Sequence, residues 1–311
     1  MIKKFIIRTL ILSVIFVLIF SGYIYLGTKA LEYRNGPGIS AILTRQFENS
    51  ISKKYECYVL GNSRTFRGID PEKINEKTFN FSGNGEAYDL MYYKLKYILT
   101  HNGNFKTLIL GTDFFQFGFN SIDNSWNYGD YFGEEFSKEY PSENKFVSKL
   151  SFIMGPLQGV NNTLGIFNSI KIFALKEPVK ANRLKDDGQY LQEQRLSSDN
   201  LVERIENKLP QEVSFFEKIL ELCKKNNVKV LITLLPAQKE ELSLYNNPNI
   251  KAEFDSFIQK YEGNNVAYLD FFNLNTFSSE DWLDVNHFTP KGADKFSIYL
   301  NSKMMEIKDQ K

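Results

Sequence analysis

Cysteine and histidine are nearly missing from this chain of 311 residues, which has only two of each. Two cysteines, Cys57 and Cys223, cannot build a disulfide-dense scaffold or a cysteine-rich zinc site. Both lie in apolar patterns, which reads as two buried free thiols, with one disulfide between them as the alternative. No metal-ligand cluster, Walker loop or dinucleotide-binding glycine pattern occurs, so neither a metal nor a cofactor is expected. An excess of charge is lacking too: 38 basic and 37 acidic residues are interspersed, leaving a formal net charge of +1. That removes the electrostatic footprint a nucleic-acid partner would need. Internal repeats and low-complexity tracts are absent. What is abundant is aromatic, 27 Phe and 17 Tyr within a chain that is 42% hydrophobic. Such a composition belongs to a folded chain with a sizeable core, one large domain or two small ones.

The N-terminus, "MIKKFIIRTLILSVIFVLIFSGYIYLGTKALEYR", carries no charge from Thr9 to Thr28. A helix of that length spans ~30 Å, about one bilayer core. Lys3, Lys4 and Arg8 precede it, so residues 1–8 are expected in the cytoplasm and everything after Lys29 on the far side of the membrane. A cleaved signal peptide is the rival. Its apolar core would be shorter, and the "TKA" at Thr28 to Ala30 is a poor cleavage site, so a retained anchor is the expectation. "RNGPGIS" reads as part of a Gly/Pro-punctuated stalk, residues 29–51, leading into a domain at 52–311.

Within that domain short apolar runs alternate with helical patterns. Tyr55 to Gly61, Lys106 to Thr112, Lys229 to Pro236 and Val266 to Phe272 are too continuously apolar for half-exposed strands and read as buried ones. Ala87, Met91, Leu95 and Ile98 repeat at helical spacing, as do Val213, Phe216, Leu220 and Cys223. A last helix opens with Thr289 as N-cap and Pro290 at the first position, and should bury Ala293, Phe296, Leu300 and Met304. The expected fold is α/β: three layers, a mostly parallel sheet flanked by helices. Residues 114 to about 205 break the alternation and are too long for a simple crossover, which suggests an inserted cap. Its aromatic start, "FFQFGFNSIDNSWNYGDYFGEEF", suits packing of the cap or stacking on a sugar, and two helices are expected near 144–157 and 163–175.

Ser63 follows the first strand in "YVLGNSRTFRGIDP", at the carboxyl end where parallel sheets bind ligands. Alone it is an ordinary turn serine. A serine hydroxyl attacks well only when a base takes its proton, and a carboxylate must hold that base in one tautomer. "DWLDVNHFTPKGADKF" puts Asp284 three residues before His287, so one loop supplies both partners. The plain readings are a turn-forming Asp284 and a satisfied polar His287. His101, in "LTHNGN", has no nearby carboxylate and reads as a loop residue after a helix.

Taken together, "VLGNSR", "NFSGNG" and "DVNHFTPKG" resemble, in order and spacing, the SGNH/GDSL hydrolase superfamily. The likeness is greatest to its membrane-anchored, extracytoplasmic branch, which includes D-alanyl-lipoteichoic-acid biosynthesis and alginate-type O-acetylation proteins. It covers roughly residues 52–113 and 206–305 and leaves out the insertion. The resemblance implies Ser63 as nucleophile, His287 as base and Asp284 as orienter, with the backbone N–H groups of Ser63 and Gly85 in the oxyanion hole. Gly83 lies two residues earlier and competes with Gly85 for that place. The family's third donor is an asparagine, where "LILGTDFF" has Asp113. An ionised carboxylate there would repel a developing oxyanion, whereas a lost donor alone costs ~3 kcal/mol. Asp113 must therefore be protonated, point elsewhere, or be replaced by a donor from the insertion. Arg64 is a candidate for binding an anionic substrate group, or for a surface salt bridge.

The implied function is ester hydrolysis or O-acyl transfer on a cell-envelope glycan or teichoic-type polymer. The implied partners are that polymer, the membrane and a membrane-bound O-acyltransferase as acyl donor. The alternative is a catalytically inactive scaffold that keeps the sheet, and a weaker one is a hydrolase of lipid or thioester substrates.

Overall fold

A computed structural model describes residues 2–35, 39–121, 128–140, 183–191, 208–238 and 249–309, with residues 171 and 174. The chain divides into two units. One comprises residues 1–41 and 143–182, the other residues 42–142 and 183–311. In the first, α1 (Ile2–Asn35) contains one stretch, Ile2–Tyr23, long and apolar enough to cross a membrane. The helices expected at 144–157 and 163–175 lie outside the described residues, apart from residues 171 and 174, which are helical.

The second unit is built on five parallel strands: β1 (Cys57–Leu60), β2 (Thr78–Asn80), β3 (Thr107–Thr112), β6 (Lys229–Leu234) and β7 (Val266–Asp270), in the order β2-β1-β3-β6-β7. A small antiparallel hairpin, β4 (Arg183–Leu184) with β5 (Tyr190–Leu191), lies within the expected insertion. The four expected strands are present, and β2 is a fifth that the three residues "TFN" hardly announce.

Alternation along the strands sorts side chains into two cores, because successive residues of a strand point to opposite faces. Tyr58, Leu60, Leu108, Leu110, Val230, Ile232 and Leu234 join one apolar cluster, while Cys57, Val59, Ile109 and Leu231 join the other. The first face is covered by α2 (Ile39–Ser52), α4 (Tyr88–His101), α6 (Pro210–Lys225) and α7 (Ile250–Gln259), which supply Phe47, Met91, Phe216 and Phe254. The second is covered by α8 (Pro290–Asp309), through Ala293, Phe296, Leu300 and Met304. The result is the expected three-layer α/β arrangement. Each buried Phe or Leu contributes ~1.5–3 kcal/mol by leaving water.

One expectation needs correction. The stalk does not extend to residue 51, because α2 forms at residues 39–52 and buries Leu43 and Phe47 in the main core. Gln46 of the same helix donates to the Ser82 carbonyl at 2.7 Å. The start of the insertion packs on the sheet core. Its helix α5 (Gly129–Glu139), with Tyr128 and Tyr140 at its ends, packs Phe136 into the same cluster, and Phe132 and Tyr131 stack on Tyr128 and Phe47.

Strand order fixes where a ligand can sit. From β1 the chain moves outward to β2, then returns across β1 to β3, so the loops leaving β1 and β3 part at their carboxyl ends. Such a reversal opens a crevice in a parallel sheet.

Candidate active site

The turn after β1 carries Ser63 at the start of α3 (Ser63–Gly68). Asn62 caps this helix: its Oδ1 accepts the Arg64 N–H at 2.9 Å. The other end is held by Asn80 of β2, whose Nδ2 donates to the carbonyls of Thr65 at 3.1 Å and Ile69 at 3.0 Å. Glycine lets α3 lie directly on the strand ends. A Cβ at Gly61 or Gly111 would fall 2.3 or 2.0 Å from Thr65 Oγ1.

His287 arrives from the far end of the chain, in the loop between β7 and α8, after a 3₁₀ turn at Ser279–Asp281. Its Nε2 lies 2.9 Å from Ser63 Oγ, and its Nδ1 lies 2.9 Å from Asp284 Oδ1. The Asp284 carboxylate also accepts the backbone N–H groups of Asn286 and His287, which locks the loop as an Asp-centred turn. With Nδ1–H donating to a carboxylate, Nε2 is left as an acceptor for the serine hydroxyl. Burial holds the His287 imidazole below its ordinary value, with Arg67 and Arg64 acting the same way and Asp284 opposing. For Asp284 burial is the largest influence and acts upward, but hydrogen bonds and the charge of His287 outweigh it, leaving the carboxyl below its usual range. A neutral imidazole between a hydroxyl and an ionised carboxylate is equipped to take a proton.

The structure thus brings Ser63, His287 and Asp284 together, and it separates them from His101. That residue ends α4, exposed, with its Nδ1 2.8 Å from the Tyr97 carbonyl oxygen.

Gly85 lies at an exposed turn after β2 with φ +64°, a conformation in which other residues are strained. The Gly83 N–H donates to the Gly61 carbonyl at 3.1 Å.

Arg64 and Asp113 stand differently from expectation. Arg64 is not a substrate contact: it is 1% exposed, ion-paired with Asp113, and donates to the carbonyls of Leu235 at 3.2 Å and Pro236 at 2.8 Å. Asp113 is not a donor. One carboxylate oxygen takes the Arg64 guanidinium and the other accepts from Asn62 Nδ2 at 2.5 Å. Burial raises its pKa, while Arg64 and Asn62 pull the other way. A buried guanidinium cannot shed its proton and needs a counter-charge, so the pair is ionic. The carboxylate is therefore turned into the protein instead of toward a developing oxyanion.

Sequence reasoning passed over Asn62, Gln116 and Arg67. Arg67 donates to the Ser63 carbonyl at 3.0 Å. Asn62, directly before the serine, carried a usable signal as an N-cap residue type. Among the described residues no group of three metal-ligating side chains converges.

A protein-family model matches residues 183–308, less than half of the chain. No curated protein matches. Among solved structures, the chain is similar to one from Streptococcus pneumonia provisionally assigned as a platelet activating factor, with 13% identity and a TM-score of 0.45, covering 85% of this chain and 91% of the other. It is also similar to a provisionally assigned acylhydrolase from Bacteroides fragilis, with 12% identity and a TM-score of 0.37, covering 80% and 86%.

Proposed function

We propose that this chain is a membrane-anchored, extracytoplasmic serine esterase or O-acyltransferase acting on a cell-envelope glycan or teichoic-type polymer. The observation that carries the chemical part is the line from Ser63 Oγ through His287 to Asp284, with 2.9 Å at each step. In this reading Ser63 Oγ attacks an acyl carbonyl and His287 Nε2 takes its proton. Asp284 stabilises the imidazolium, which returns the proton to the departing oxygen. The N–H groups of Ser63 and Gly85 receive the oxyanion, and Asp113 contributes none. His287 then activates water or an acceptor hydroxyl to release the acyl group. The apolar stretch Ile2–Tyr23, with Lys3, Lys4 and Arg8 at its start, supports an anchor with the site on the far side. The polymer class and a membrane-bound O-acyltransferase as donor rest on the motif resemblance.

The turned-in Asp113 supports a second reading, a binding protein with an incomplete oxyanion hole. A fluorophosphonate probe separates the two. Labelling lost in Ser63→Ala and kept in Ser214→Ala supports the enzyme, and no labelling of a folded chain supports the binder. Release of acetate or D-alanine from model esters, with Ser63→Ala and His287→Ala as controls, then identifies the acyl group.

A further inference from the structure

Gln116 sits on the turn after β3, sealed from solvent. Its Oε1 accepts from Asn62 Nδ2 at 2.6 Å, and its Nε2 donates to the Glu86 backbone carbonyl at 2.7 Å. Its own N–H donates to the Asp113 carbonyl at 3.0 Å. One carboxamide therefore spans two loops: the turn that presents Ser63, through its cap Asn62, and the loop that carries Gly85, through the next residue.

Both loops have other fastenings among the described residues. Asn62 has no further donor to give, since its two amide hydrogens go to Gln116 and Asp113, while its oxygen accepts the Arg64 N–H. On the far side of the glycine loop, the buried Lys94 ammonium donates to the Phe81 carbonyl at 2.7 Å and to Glu86 Oε1 at 2.5 Å. Tyr128 also donates to that carboxylate, at 2.6 Å. These bonds hold the loop against α4 and α5. Two residues before Gly85, the Gly83 N–H to Gly61 carbonyl bond at 3.1 Å ties the start of the loop to the first residue of the serine turn. Next to Gly85, Glu86 is joined to the serine turn through Gln116.

We propose that Gln116 is a positioning residue: its carboxamide sets the separation between Ser63 and the Gly85 N–H without touching the acyl group. The inference rests on the catalytic reading of Ser63 above. Oxyanion donors act only when aimed at the position the charged oxygen reaches, and a misplacement of ~1 Å costs about 100-fold in rate. A residue that governs this spacing changes turnover while leaving substrate affinity and the base alone.

The test uses the full chain in detergent, with p-nitrophenyl acetate turnover and fluorophosphonate labelling rates for the parent, Gln116→Met and Gln116→Glu. Methionine keeps the volume and loses both hydrogen bonds. Ionised glutamate still accepts from Asn62 but has no hydrogen to donate to the Glu86 carbonyl. Both variants should lower kcat about 10- to 100-fold, with labelling slowed in parallel and with KM and the acid limb of the pH profile unmoved. If Gln116→Met fails to fold, the near-isosteric Gln116→Glu carries the same expectation. A folded variant within two-fold of the parent, or a loss expressed in KM or in the pH profile, overturns the proposal while the catalytic reading stands. A parent with neither turnover nor Ser63 labelling overturns both.

Discussion

Arg64, the residue after the serine, forms an ion pair inside the protein with Asp113, whose carboxylate also accepts from the helix cap Asn62. Removing one partner strands a charge, whereas removing both strands none. Asp113→Asn should therefore cost about 3–5 kcal/mol, visible as a lower urea midpoint, and the double variant Arg64→Met/Asp113→Asn should recover most of it. A single variant with the parental midpoint would contradict the ionic description.

The pH dependence of ester hydrolysis follows from the direction of the His287 shift. Only the neutral imidazole acts as a base, and burial lowers its pKa, so the neutral form persists to lower pH than for an ordinary imidazole. The acid limb of kcat/KM should fall below the model-peptide value of about 6.5. Asp284 is the group that pulls the pKa upward. Asp284→Asn should thus shift the limb further down while reducing turnover by about four orders of magnitude. A limb above the ordinary value would refute the assignment of His287 as a buried base.

Gly111→Ala places a methyl group 2.0 Å from Thr65 Oγ1. Overpacking of this kind costs about 1–3 kcal/mol and pushes α3 off the strand ends. We expect a lower melting temperature and slower probe labelling of Ser63, with both partly restored by Thr65→Ala in the same chain. Unchanged labelling in the single variant would mean that α3 does not depend on that contact.

Cys57 and Cys223 are both buried and free. Burial raises both thiols, Cys223 to about 12. An aromatic disulfide reagent should modify neither in the folded chain and both in urea; rapid modification of either before unfolding would contradict this burial.

How much of this could be read beforehand depended on the range of the interactions involved. β3 and β6 announce themselves because six consecutive apolar or small residues in the first, and five in the second, are buried on both faces. β2 does not: three residues suffice because its backbone pairs with β1 on one side and the Asn80 N–H finds the Asp187 carbonyl at 2.8 Å on the other. α2 hides behind "NGPG", which reads as a linker until Leu43 and Phe47 are seen to meet the core. Ser63, Asp284 and His287 were legible because the carboxylate and the imidazole are neighbours in sequence and the serine follows a plain strand. Arg64 misled, since an arginine after a candidate nucleophile reads as surface until Asp113, 49 residues later, is found beside it. Gln116 gives no local signal at all. Its role exists only where three loops meet, and that meeting is a product of strand order.

The serine and its base are separated by 224 positions, and the base lies beyond β7, the last strand to be made. An unfinished polypeptide therefore owns the hydroxyl long before it owns anything to take the proton. The hydroxyl and the imidazole can thus meet only after all five strands of the sheet have been made.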